Sequence, residues 1–226
     1  GRYADSAPRA GLPAETPRGR PEARSGPRWL VIGGGTAGCV VAARLSESSA
    51  NEVVLIEAGP DHGAMPVRDD AGPVLDQPER LFADVAVVRR PGVMPEPYPQ
   101  GFGLGGSGLI NGALLSADPA LVEFDHLIPV ETASPVGPVG AALLAADPRA
   151  RPALLARRNG QRVSAADAYL RPALQRTNLF VITGSPVLRL NLKRWQAVSA
   201  VTADGVEYTA DRFVVCAGAI NTPALL

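Results

Sequence analysis

The sequence is poor in the residues that build disulfide frameworks and metal centres, with two cysteines and two histidines in 226 residues. Cys39 falls in a stretch with helical character and Cys216 at the end of an apolar strand-like run. Each has small or apolar neighbours, so both read as buried free thiols rather than a bridge. The four residues are scattered without metal-ligand spacing, so no metal is expected. The chain also lacks an excess of either charge, since 22 Lys and Arg face 22 Asp and Glu. That balance argues against nucleic acid or an anionic membrane surface as partner. No apolar run approaches the roughly 18 residues needed to span a bilayer, and the N-terminus has no secretory h-region. The expected compartment is the cytoplasm.

What is present is apolar content enough for a core, at 46% hydrophobic residues. Residues 1–27 hold five prolines and almost no large apolar side chains, and read as a disordered leader. From Trp29 to Ile32 a short apolar run meets Gly33-Gly34-Gly35-Thr36-Ala37-Gly38, and a small-residue helical pattern follows from Cys39 to Ser46. Val53-Val54-Leu55-Ile56 is a second apolar run, suited to a strand covered on both faces of a parallel sheet. Residues 59–100 read as an irregular excursion with a helical hint near Pro78 to Val88. Phe180–Ile182, Val187–Leu190, Ala197–Val201 and Val206–Tyr208 are short strand-like runs separated by turns, as in a small antiparallel meander. Phe213–Cys216 restores a buried strand. The chain starts at Gly1 rather than Met, and Asn221–Leu226 reads as a helix just beginning, with Pro223 early in it. A fragment or shortened product is expected.

Gly33, Gly35 and Gly38 fit G-x-G-x-x-G where the motif has meaning, between a strand and a helix. The first glycine permits the turn, the second lets the backbone approach a pyrophosphate, and the third lets helix and strand pack closely. The helix N-terminus adds N–H donors and positive partial charge, in which Thr36 and Ala37 take part. Glu57 follows Gly38 by 19 positions at the end of the second strand, where a carboxylate accepts hydrogen bonds from ribose hydroxyls. The bend wants a dinucleotide.

Val31–Cys39, Ala42-Ala43-Arg44-Leu45-Ser46 and Leu55-Ile56-Glu57-Ala58-Gly59-Pro60 together resemble the opening of the glucose–methanol–choline (GMC) oxidoreductases. Three later blocks resemble the same family in order. Gly103–Gly112 is similar to its second glycine-rich signature, Ser164–Leu170 with Asn178–Thr183 to its approach to the meander, and Val214–Pro223 to the block that ends its FAD contacts. The resemblance implies FAD as cofactor and an α/β, Rossmann-like FAD-binding domain with a parallel sheet and a small antiparallel meander. It implies contacts from Gly33, Gly35, Thr36, Ala37, Gly38, Glu57 and Ala58, from Gly105, Gly106 and Asn111, from Val187 through its backbone, and from Ala217 and Gly218. The cofactor domain would comprise residues 28–116 and 161–226, with a shortened cap at 117–160.

The implied reaction removes hydride from the carbon of a small-molecule alcohol to flavin N5. The family's histidine base would lie beyond Leu226, and His62 and His126 read as loop histidines without a persuasive partner. Only 53 positions separate Asn111 from Ser164, hence the reduced cap. That interval and Gly106-Ser107-Gly108 resemble actinobacterial members associated with the peptide-derived cofactor mycofactocin, which implies an external electron acceptor. The competing readings are an inactive remnant or interaction module, and a nicotinamide dehydrogenase, which the later flavin-type blocks disfavour.

Overall fold

The computed structural model describes residues 26–63, 77–83, 85–115, 128–133 and 137–226. Most of the leader and His126 lie outside them. The chain opens with β1 (Arg28–Ile32), α1 (Thr36–Leu45) and β2 (Glu52–Ile56), followed by a hairpin of β3 (Ala86–Val87) and β4 (Glu96–Pro97). Next come β5 (Leu114–Leu115), β6 (Val130–Thr132), α2 (Pro138–Ala146), β7 (Leu154–Arg158) and β8 (Gln161–Arg162). A π-helical turn, Ala166–Leu170, runs into α3 (Arg171–Ala173). The remainder is β9 (Leu179–Ile182), β10 (Val187–Lys193), β11 (Gln196–Thr202), β12 (Glu207–Thr209), β13 (Arg212–Val215) and α4 (Gly218–Leu225).

The central sheet is parallel, in the order β13-β1-β2-β9. Its strands read as unbroken apolar runs because both faces are covered. Val31, Val53, Leu55, Leu179 and Val181 point to one side, under α1 and the Ala166–Ala173 helix. Leu30, Ile32, Val54 and Ile56 point to the other, against Ala200 and Tyr208 of the antiparallel β10-β11-β12 meander. The buried face of α1 is Gly38, Cys39, Ala42 and Ala43, small enough to bring the helix axis close to the strands. Fully burying each large side chain of this core, such as Leu30, Leu55 or Ile56, contributes about 1.5–3 kcal/mol.

Several expectations need correction. The Phe180–Ile182 run is not in the meander; it is β9, paired in parallel with β2, because Leu179 and Val181 are buried in one layer while Phe180 and Ile182 pack, partly buried, against the other. Pro78–Arg80 is a single 3-10 turn rather than a longer helix. The last helix begins at Gly218, so Pro223 sits inside it rather than at its first turn. Elsewhere β7 pairs with β5, β6 and β8. Among the described residues no helix is long and apolar enough to cross a membrane.

Candidate functional site

The parallel register decides where the site lies. Ile32 is level with Ile56 and with Val215, and Ile56 with Ile182, so four strands end together at their carboxyl edge. The segments leaving those ends converge there, although more than 180 positions separate Gly33 from Gly218 in the chain. Ligands of open α/β sheets sit outside such carboxyl ends. A cavity of about 650 Å³ occupies the place, within the range of about 300–1,000 Å³ usual for ligand pockets.

The first wall is the bend into α1. Gly33 adopts φ +99°, where a side chain would be strained, and its N–H donates to the Ile56 carbonyl at 2.8 Å. Gly33, Gly35, Thr36 and Ala37 line the cavity. The cap residue is Gly35, so no side chain satisfies the first N–H groups of α1, which leaves orphan donors and the positive helix end available to an anion. A Cβ on Gly35 would meet only Gly106 Cα, at 3.9 Å, whereas one on Gly38 would lie 1.8 Å from the Gly33 carbonyl oxygen. Gly38 does not reach the cavity; it serves the close packing that the motif also demands.

Glu57 leaves β2 with its carboxylate turned into the bend. Oε2 accepts the Gly34 N–H at 2.6 Å and Oε1 the Gly59 N–H at 2.9 Å. The side chain is 6% exposed. Burial pushes its carboxyl above the ordinary 4.5, and the backbone N–H groups of Gly59 and Gly34 pull back less strongly. The folded state thus holds this proton more tightly than the unfolded chain, and the ligand-free protein loses stability as pH rises from about 4.5 through the raised value. Glu57→Gln, with no proton to release, is expected to flatten that slope in thermal unfolding across roughly pH 4 to 8. An unchanged slope would locate the titration elsewhere.

The second glycine-rich loop packs main chain against main chain behind this bend. The Gly105 N–H donates to the Gly34 carbonyl at 2.7 Å, and a Cβ on Gly106 would sit 2.8 Å from Gly35 Cα. Gly106 and Ser107 line the cavity; Gly105 supports it from outside, and Asn111 is turned to Arg162 instead. Ala58, Val187, Ala217 and Gly218 line it too. Sequence reading missed Phe82, Gln100, Ser107 and Asn221 in the walls. Gln100 is informative, because its Oε1 is buried without a hydrogen-bond partner among the described residues. An orphaned acceptor in a cavity wall fits a ligand that brings hydroxyl or N–H donors.

Both thiols are free, as expected, and only the burial of Cys216 differs from expectation. Cys39 is fully buried, and burial together with the Glu57 charge pushes it up to about 12. Cys216 is only half-buried and faces the cavity, because the strand run ends one residue earlier than its apolar pattern. His62 Nε2 is within 3.0 Å of the Phe102 carbonyl, pinned against the glycine loop.

Comparison with known proteins agrees with this geometry. Residues 151–226 match the GMC oxidoreductase model and residues 31–90 the NAD(P)-binding Rossmann-like domain model. An uncharacterized GMC-type oxidoreductase of Rhodococcus erythropolis is 30% identical over 259 residues, covering 88% of this chain and 52% of its own length. One of Mycobacterium tuberculosis is 30% identical over 274 residues, covering 88% and 49%. The structure is also similar to pyridoxine 4-oxidase from Mesorbium loti, with 29% identity and a TM-score of 0.72 over 88% of this chain and 51% of that one. The chain spans about half the length of the curated relatives it matches. It belongs to the GMC oxidoreductase family, whose cofactor is FAD.

Proposed function

We propose that the cavity holds FAD as the cofactor of an oxidoreductase acting on the CH–OH group of a small-molecule alcohol. The observation that carries this reading is the Glu57 carboxylate, fixed by two glycine N–H groups beside an uncapped helix N-terminus. In it the orphan N–H groups of α1 take the pyrophosphate, Glu57 the adenosine ribose, and Val187 the adenine side. The Gly105–Asn111 loop and Ala217-Gly218 flank the flavin. When bound there, FAD supplies a hydride acceptor. The chain's own part is to bind it, exclude side chains from its path and hold its ring against a glycine surface.

His62, whose Nε2 meets the Phe102 carbonyl, does not line the cavity. In this reading the hydroxyl proton goes to a group outside the described residues. On the same reading the short interval from Asn111 to Ser164 forms a reduced cap. With it goes an external electron acceptor.

The test is spectroscopic. Purified protein titrated with FAD is expected to quench flavin fluorescence and show a bound-flavin visible spectrum, with air reoxidising the alcohol-reduced flavin more slowly than an added carrier does. A folded protein that ignores FAD but binds NADH would transfer the site to the nicotinamide reading.

A further inference from the structure

The antiparallel meander ends in a hairpin that reaches past its own sheet. β10 and β11 pair from Val187 with Thr202 to Lys193 with Gln196, whereas β12 accompanies β11 only from Ser199 to Val201. Beyond Val198 the hairpin is a two-stranded ribbon. Its loop is Arg194-Trp195, at φ +51° and +65°. Two-residue loops with both φ positive favour Asn-Gly, because a Cβ is strained there. A tryptophan thus stands where glycine is preferred, and the tip carries it against backbone strain.

Trp195 is 95% exposed, and Leu192 in the ribbon and Val198 at its base are exposed as well. The surrounding charge has one sign. Residues 187–198 contain Arg189, Lys193 and Arg194 and no acid. Glu207 on β12 is held by Asn191 and Ser199, short of the ribbon. Among the described residues Lys193 and Arg194 form no ion pair. The even charge of the whole chain hides this local cationic excess.

We infer that the Leu192–Ala197 hairpin tip docks on anionic lipid bilayers, with Trp195 seated at headgroup level and Lys193 and Arg194 held by lipid phosphates. An amphipathic indole suits that boundary, and cations beside it gain from the negative surface potential. A protein partner would need roughly 20–30 residues a side, far more than the six of the tip, whereas a bilayer needs the tip alone. Docking leaves the cavity open, since Val187 and Leu188 line it from the other end of β10, roughly 20 Å back along the strand.

Vesicle co-sedimentation and tryptophan emission of the intact protein test this. Phosphatidylcholine vesicles with about a third phosphatidylglycerol should bind it and move Trp195 emission to shorter wavelength; phosphatidylcholine alone should bind about thirtyfold more weakly, and about 0.5 M salt should release the protein. Trp29, packed against the core, supplies a constant background. Trp195→Gly should weaken vesicle binding about tenfold or more and keep the thermal midpoint at or above the wild type's, because glycine relieves the positive φ. Lys193→Gln combined with Arg194→Asn should cost about thirtyfold on anionic vesicles, and it decides the matter if Trp195→Gly unfolds. Wild-type protein that ignores anionic vesicles overturns the inference, as does binding that survives both variants. Self-association in sedimentation velocity that Trp195→Gly abolishes would give the tip to a second copy and overturn it too.

Discussion

Gly35→Val is expected to leave the protein folded and to weaken FAD at least about a hundredfold, a loss of about 2.7 kcal/mol or more. Gly35 has φ −72° and ψ −168°, which any residue adopts, so its value is not conformational. A Cβ there has only Gly106 Cα nearby, at 3.9 Å, and otherwise opens toward the cavity. The substitution costs about 1 kcal/mol or less as a poorer helix cap, but it fills the space that the pyrophosphate needs. Thermal unfolding without ligand and FAD titration together check this. Retained FAD affinity would mean that the phosphates lie elsewhere.

Gly38→Ala, three positions on, is expected to do the reverse and damage the fold itself, by about 3 kcal/mol. Helix propensity alone argues for a gain of about 1 kcal/mol, since Gly38 is inside α1 and Ala is the best helix former. The structure overrides it, because a Cβ would lie 1.8 Å from the Gly33 carbonyl oxygen and near the Cys216 side chain. Neither the bend nor β13 can yield without shifting the strand ends that define the site. A denaturant midpoint equal to or above wild type would show that α1 can back away from β1 more easily than this packing allows. Two glycines of one motif thus fail differently, one on the ligand side and one on the protein side.

How much was readable in advance follows from the range of the interactions involved. The β1-α1-β2 unit was legible because its signals are local: an apolar run, a glycine turn and small residues on one helix face. Glu57 was legible for the same reason, its distance from Gly38 being the length of one helix and one strand. Val187 and Ala217-Gly218 came from the family's blocks, which fixed their order but not their geometry. Phe82 and Gln100 were missed because they lie in an irregular stretch without period or motif, and they reach the cavity only through pairing such as Phe82 N–H to the Gln100 carbonyl at 2.9 Å. The turn of Asn111 toward Arg162 was not legible because the two are about fifty positions apart and no sequence pattern links them.

The strand-like run at Phe180–Ile182 shows the same division. Its short apolar run is compatible with a meander or with a sheet interior, and neighbouring turns favour the meander. Burial on two faces belongs to the assembled layers, and it placed β9 beside β2.

By itself the sequence determined the local chemistry: a strand-turn-helix bend open to an anion, a carboxylate at the next strand end, and glycine loops that let backbones touch. Those depend on φ/ψ freedom, side-chain volume and charge within a few tens of residues. Only the tertiary structure decided which distant segments wall the cavity, which way Asn111 turns, and whether a given glycine is spared a side chain for the ligand's sake or the protein's. Parallel register aligns the ends of strands that lie far apart along the chain, and burial then fixes which polar groups must find partners.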